Sequence, residues 1–97
     1  MNYLKEDRYS SRAWLRAVAS LPCVICGNEN VQAAHRNQGK GMGLKVDDCL
    51  TAALCVDHHR EIDQGNVLSR TERREILDDA ILKTLVQLTR KGLVKVV

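Results

Sequence analysis

The chain has 97 residues, a formal net charge of +3, 44% hydrophobic residues and only 3% aromatic ones, with no Phe. That length supports one domain, residues 1–97, on a thin aliphatic core of the kind that commonly needs a staple such as bound zinc. No stretch approaches the roughly 18 apolar residues of a bilayer span, and so small a positive charge permits a nucleic-acid partner without requiring one.

Ser10 or Ser11 is placed to cap a first helix reaching about Ser20, with Ala13, Trp14, Ala17 and Val18 at helical spacing and Arg12 and Arg16 on other faces. Trp14 reads as a core anchor. Pro22 stops the helix and leads into Cys23-Val24-Ile25-Cys26-Gly27-Asn28, where the Gly-Asn pair suits the left-handed turn of a zinc knuckle. Val31 to His35 reads as a short strand. Arg36 to Lys45 follows as a polar loop with three glycines and three basic side chains, either a solvated surface loop or a segment able to approach a phosphate backbone. Asp47 and Asp48 open the next segment, and Leu50 to Leu54 forms a second strand, antiparallel to the first.

Asp57 is expected to cap a short helix ending at Gly65. Ser69 and Glu72 make a capping box that starts a long scaffold helix, about residues 69–91, ended by Gly92. Its expected apolar stripe is Ile76, Leu77, Ile81, Leu85 and Leu88, and a dimer face is a second use for it. The tail Leu93 to Val97 is either an edge strand or frayed.

Met1 to Arg16 is too charged for a signal peptide, so the expected location is the cytoplasm, where cysteines read as thiolates rather than disulfides. Cys23 and Cys26 form a C-x-x-C pair, Cys55 and His58 a C-x-x-H pair, and together they provide four ligands for structural zinc. Residues 27–54 separate the pairs, so a segment is inserted between the two knuckles. No thioredoxin-like βαβ pattern surrounds Cys23, which disfavours a redox role. Cys49 is left over as an ordinary buried small residue.

Neighbours on a helix point about 100° apart, so His58 and His59 serve different groups, and His59 and Asp63 share a face at i and i+4. His35, His59 and Asp63 are what metal-assisted phosphodiester hydrolysis needs: Mg²⁺ or Mn²⁺ to neutralise developing charge, and an imidazole to take a proton from water.

Between Cys23 and Gly65 the chain resembles the HNH endonucleases, the ββα-metal or His-Me finger group: C-x-x-C, then A-H-R, L-C-x-x-H-H and I-D-Q-G. More narrowly, A-H-R, G-K-G-M-G-L-K-V-D-D and H-R-E-I-D-Q-G look like the YbcO-type small nucleases of prophages. The resemblance implies an α+β fold: a zinc-stabilised hairpin-plus-helix core flanked by an N-terminal helix and a long C-terminal helix. It implies a DNA endonuclease with His35 as general base, His59 and Asp63 holding the catalytic divalent ion, and Asp48 near the place of the family's central Asn. His58 would replace the last zinc cysteine of the zinc-bearing branch. Two positions depart from the pattern. Ala34 stands where many members carry a metal-binding Asp or His, so either fewer protein ligands hold the ion or His35 is itself a ligand. The central Asn is absent, leaving Asp47 or Asp48 to fill its place.

Arg36, Lys40 and Lys45 are the expected phosphate contacts, on DNA that is single-stranded or branched, with a second copy or a recombination protein as candidate partners. Two other readings remain open: a non-catalytic zinc module that binds nucleic acid or a protein, and an inactive HNH descendant.

Overall fold

A computed structural model describes residues 8–36 and 46–97. The expected contacts of Lys40 and Lys45 lie outside the described residues. The elements run α1 (Arg12–Ala19), β1 (Val31–His35), β2 (Thr51–Cys55), α2 (Val56–Gln64) and α3 (Arg70–Arg90), a small α+β arrangement. No helix among the described residues is long and apolar enough to cross a membrane.

The strands pair antiparallel from Val31 opposite Cys55 to His35 opposite Thr51. β2 starts one residue later than expected. Leu50 belongs instead to a turn in which its N–H reaches the Asp47 carbonyl at 3.0 Å, although its own carbonyl still accepts from Arg36 N at 2.9 Å.

Every residue of β2 is buried, because both faces of the hairpin are covered. Ala34, Ala52 and Leu54 pack with Ile62 of α2 and Leu77, Ala80 and Ile81 of α3. Ala53 packs with Val18, Leu21 and Leu88, backed by Trp14, Ala17, Val31 and Ala33. Leu54 is fully buried and contributes about 1.5–3 kcal/mol by leaving water. A buried strand must also satisfy the edge that faces away from its partner. The Ala53 carbonyl accepts from Val24 N, and its N–H donates to Thr84 Oγ1, both at 3.0 Å.

In α1 the Ser11 hydroxyl accepts from Trp14 N at 3.0 Å, the expected cap. For α2 the expectation fails at its first residue. Cys55, not Asp57, is the N-cap and makes no side-chain cap bond, because the chain passes straight from β2 into the helix. Asp57 sits in the first turn, where its charge still suits the positive end of the helix. Gly65 ends α2 with an ordinary backbone; a Cβ there would collide with the Glu61 carbonyl.

The capping box of α3 is complete, with Ser69 N donating to Glu72 Oε1 at 3.0 Å and Glu72 N to Ser69 Oγ at 3.1 Å. Its far end closes on Gly92 (φ +72°), with Leu93 N bonded to Leu88 O and Gly92 N to Thr89 O. The buried stripe is Leu77, Ala80, Ile81, Thr84 and Leu88. Leu85 is 43% exposed, contrary to the expected stripe, because it lies about 100° from Thr84, the stripe's centre. Thr84 is tolerated in that centre because its hydroxyl serves the β2 edge and donates to Ala80 O at 2.8 Å. The tail after Gly92 forms no strand; Val94 packs beside Leu88.

Candidate metal centre and histidine clusters

Cys23, Cys26, Cys55 and His58 come together with all ligand atoms within 4.8 Å of one another. Ligands 2.0–2.3 Å from a tetrahedral zinc stand about 3.3–3.8 Å apart. Here Cys26 Sγ and Cys55 Sγ are 3.8 Å apart, and His58 Nδ1 lies 3.7 Å from Cys23 Sγ and 3.2 Å from Cys55 Sγ. The knuckle is pre-shaped by its backbone: Gly27 N reaches Cys23 O and Cys23 N reaches Asn28 O, each at 2.8 Å, with Gly27 at φ +81°.

Burial is the largest influence on the Cys23 thiol and opposes ionisation, but backbone groups of Cys55, Cys26 and Ile25 outweigh it and bring the pKa down to about 6. At Cys26 the Asn28 backbone favours the thiolate most strongly, yet burial and the neighbouring sulfurs of Cys23 and Cys55 push the pKa up. The neighbouring sulfurs that oppose ionisation of Cys26 are compensated when a divalent cation sits among them. The donor set therefore fits a metal such as zinc.

His35 closes β1 and presents Nε2 to Asp48 Oδ1 at 2.9 Å. Asp48 is 2% exposed and holds two more donors, Arg8 Nη2 on Oδ1 at 2.9 Å and Ser11 N on Oδ2 at 2.7 Å. Burial, the largest effect on this carboxyl, disfavours its charge; His35, the Ser11 N–H and Arg8 together overcome it and hold the pKa below the ordinary value. Of the neighbouring pair Asp47 and Asp48, Asp48 is thus the one turned inward, while Asp47 accepts from Tyr9 N at an exposed site.

His59 lies on α2, whose first turn is anchored by the Cys55–His58 pair. Its Nδ1 meets Gln32 Oε1 at 2.8 Å and its Nε2 faces Asp63 Oδ2 at 3.3 Å. A shallow cleft beside them is lined by Gln32, Val56, His59, Arg60, Asp63 and Gln64. Gln32 and His35 are three residues apart on β1, an odd spacing that assigns them to opposite faces of the hairpin. The structure therefore divides the expected site residues between two clusters, His35 with Asp48 and His59 with Asp63. Ala34, 1% exposed, belongs to the core and offers no ligand.

Arg36, expected at phosphates, makes a two-point pair with Asp78 of α3 at 2.9 and 3.3 Å. Cys49 is half-buried rather than buried as expected, and burial raises its thiol pKa. Sequence reasoning missed Arg8, Ser11 and Gln32 as partners. Only Gln32 left a signal, as the one amide in the strand V-Q-A-A-H.

Fold and cluster define a small α+β domain with a Cys₃His cluster, of a donor set that fits a metal such as zinc, between the Cys23–Cys26 knuckle and the junction of β2 with α2. Residues 1–73 match the family described as "Protein of unknown function (DUF968)", and the chain belongs to that family. Among curated proteins no relative matches. A solved structure from Escherichia coli K-12 MG1655, "a putative bacteriophage protein", is similar over 86% of this chain and all of its own, with a TM-score of 0.57 and 22% identity. At that identity the likeness is one of fold.

Proposed function

We propose that the chain is a divalent-metal-dependent endonuclease of the HNH, ββα-metal type that hydrolyses DNA phosphodiesters. The observation that carries the reading is the His35–Asp48 pair. A buried carboxylate kept ionised accepts the Nε2 proton, which leaves Nδ1 of the 30%-exposed His35 side chain as the lone-pair nitrogen able to take a proton from water. Asp48 would orient that imidazole and stabilise it once protonated.

Support for the second half of the site comes from His59. In the tautomer that donates Nδ1–H to Gln32 Oε1, the Nε2 lone pair of His59 faces Asp63 Oδ2. Two acceptors facing each other at 3.3 Å suit a shared cation, and two protein ligands leave room for the waters that Mg²⁺ or Mn²⁺ retains. Such an ion, when bound, would neutralise charge developing on the leaving oxygen. Cys23, Cys26, Cys55 and His58 would hold a zinc that fixes the start of α2 and hence the direction of His59.

The second reading is a non-catalytic zinc module that binds nucleic acid or a protein. The placement of His35 and Gln32 on opposite hairpin faces, with Ala34 in the core between them, favours it. Cleavage of supercoiled plasmid and single-stranded DNA, with Mg²⁺ and with Mn²⁺, separates the two. Wild type should cut, while His35→Ala and His59→Ala should retain zinc and lose at least about 100-fold in rate. Zinc-loaded wild type that cuts neither substrate with either ion would sink the nuclease reading.

A further inference from the structure

A cleft of about 210 Å³ lies between the end of α2 and the start of α3, lined by Ile62, Asp63, Arg70, Arg73 and Arg74. Asp63 also lines the shallow cleft beside His59, so the two depressions share a wall. The three arginines stand in the first turns of a 21-residue helix, at its positive end, where cations are unfavourable. Arg70 and Arg74 are spaced i, i+4, where like charges add a further cost. The acid of the first turn, Glu72, is occupied by the capping box.

Arg73 is partly spent on structure. Its Nη1 donates to the Ile62 and Asp63 carbonyls at 3.2 and 3.3 Å, closing the end of α2, while its Nε is buried without a partner. Arg70 and Arg74 are exposed, and no carboxylate among the described residues lies within ion-pair distance of either. Three cations converging on a concave surface at the wrong end of a helix, two of them without an ion-pair partner among the described residues, weaken the fold locally, and a chain that breaks such a rule commonly does so at a binding site.

We propose that this cleft seats a backbone phosphate of a nucleic-acid strand, with Arg70 and Arg74 as its contacts and Arg73 as the residue that fixes the cleft wall. Arg guanidinium groups match phosphate oxygens in a two-point geometry. The inference deepens the nuclease reading, since the shared wall at Asp63 would carry the strand from the arginines past His59. It assigns the phosphate contact to α3 rather than to Arg36, whose guanidinium is bound to Asp78.

The test is binding of a fluorescent DNA duplex, without added divalent ion, over a salt series. Arg70→Ala/Arg74→Ala is compared with Arg12→Ala/Arg16→Ala, which removes equal charge from the exposed surface of α1. The first variant should lose about tenfold in affinity at low salt, and its log K against log salt should flatten by about 1.8, roughly 0.9 per lost phosphate contact. The second should keep the wild-type slope. Equal losses in both variants, or no loss in either, would overturn the proposal. Melting curves and zinc content confirm that both variants fold. Because no cleavage is read, a chain that binds through the cleft yet never cuts refutes only the nuclease reading. One that cuts with unchanged binding in the first variant refutes only the cleft.

Discussion

Replacing Asp48 by Asn removes a charge and leaves the shape nearly intact, so it isolates what that carboxylate does. Three donors converge on it: Arg8 and His35 on one oxygen and Ser11 N–H on the other, at 2.9, 2.9 and 2.7 Å. Asn keeps one acceptor and places an NH₂ where the second was, so one donor is orphaned at a site 2% exposed. An orphaned buried donor costs about 1–3 kcal/mol, and the two remaining bonds lose charge assistance. The expected loss is about 3 kcal/mol. For a domain of this size that lowers the melting temperature by roughly 12–24 °C. Urea unfolding of zinc-saturated protein at neutral pH, followed by circular dichroism, measures it. Asp47→Asn is the control: its bond to Tyr9 N is exposed, and it should cost under about 1 kcal/mol. Equal, small losses in both would refute the claim that Asp48 is the hub joining the N-terminal segment to the hairpin. The pH dependence follows from the same contacts. A carboxyl held below its ordinary value stabilises the fold fully above about pH 4, and that contribution fades as pH falls through the lower folded value. The gap between wild type and Asp48→Asn should therefore be constant above that range and close beneath it.

The metal centre predicts one zinc per chain by elemental analysis. Cys26→Ser should lower zinc affinity by orders of magnitude, with chelation unfolding the wild type, because binding of about 10–16 kcal/mol is folding energy in such small domains. Cys49→Ser should leave the stoichiometry unchanged. Thr84→Val preserves volume but orphans Ala53 N–H, and should cost about 1–3 kcal/mol in the same urea assay; a neutral result would mean water reaches that edge.

Much of the core was legible in the sequence because its signals are local. The residues V-Q-A-A-H place β1, L-C-x-x-H-H places the start of α2 within two residues, and S-x-x-E places α3. Knuckle spacing picked out the four residues that the structure gathers into one cluster. What escaped is set by contacts distant along the chain. Nothing near Arg8 announces Asp48, and nothing near Arg36 announces Asp78. Thr84 reads as a polar interruption until the unpaired Ala53 N–H is seen to need it, and that demand displaces Leu85 from the stripe. Asp57 has the composition of a cap, but capping requires a residue outside the helix, and the direct passage from β2 gives that place to Cys55. The candidate site was legible as a set of residue types. Its division into two clusters was not, since nothing local in the sequence ties His59 to Gln32 or His35 to Asp48.

Val24, whose N–H covers the outer edge of β2, lies between Cys23 and Cys26. The loop that would grip a metal is thus also the guard on a strand, T-A-A-L-C, with five buried residues. Stripping the ion frees both together, and an unguarded apolar edge is a template for intermolecular pairing. Metal supply during synthesis would then govern how much of the chain reaches its folded form and how much is lost to aggregation or proteolysis, whatever the mature protein goes on to bind or cut.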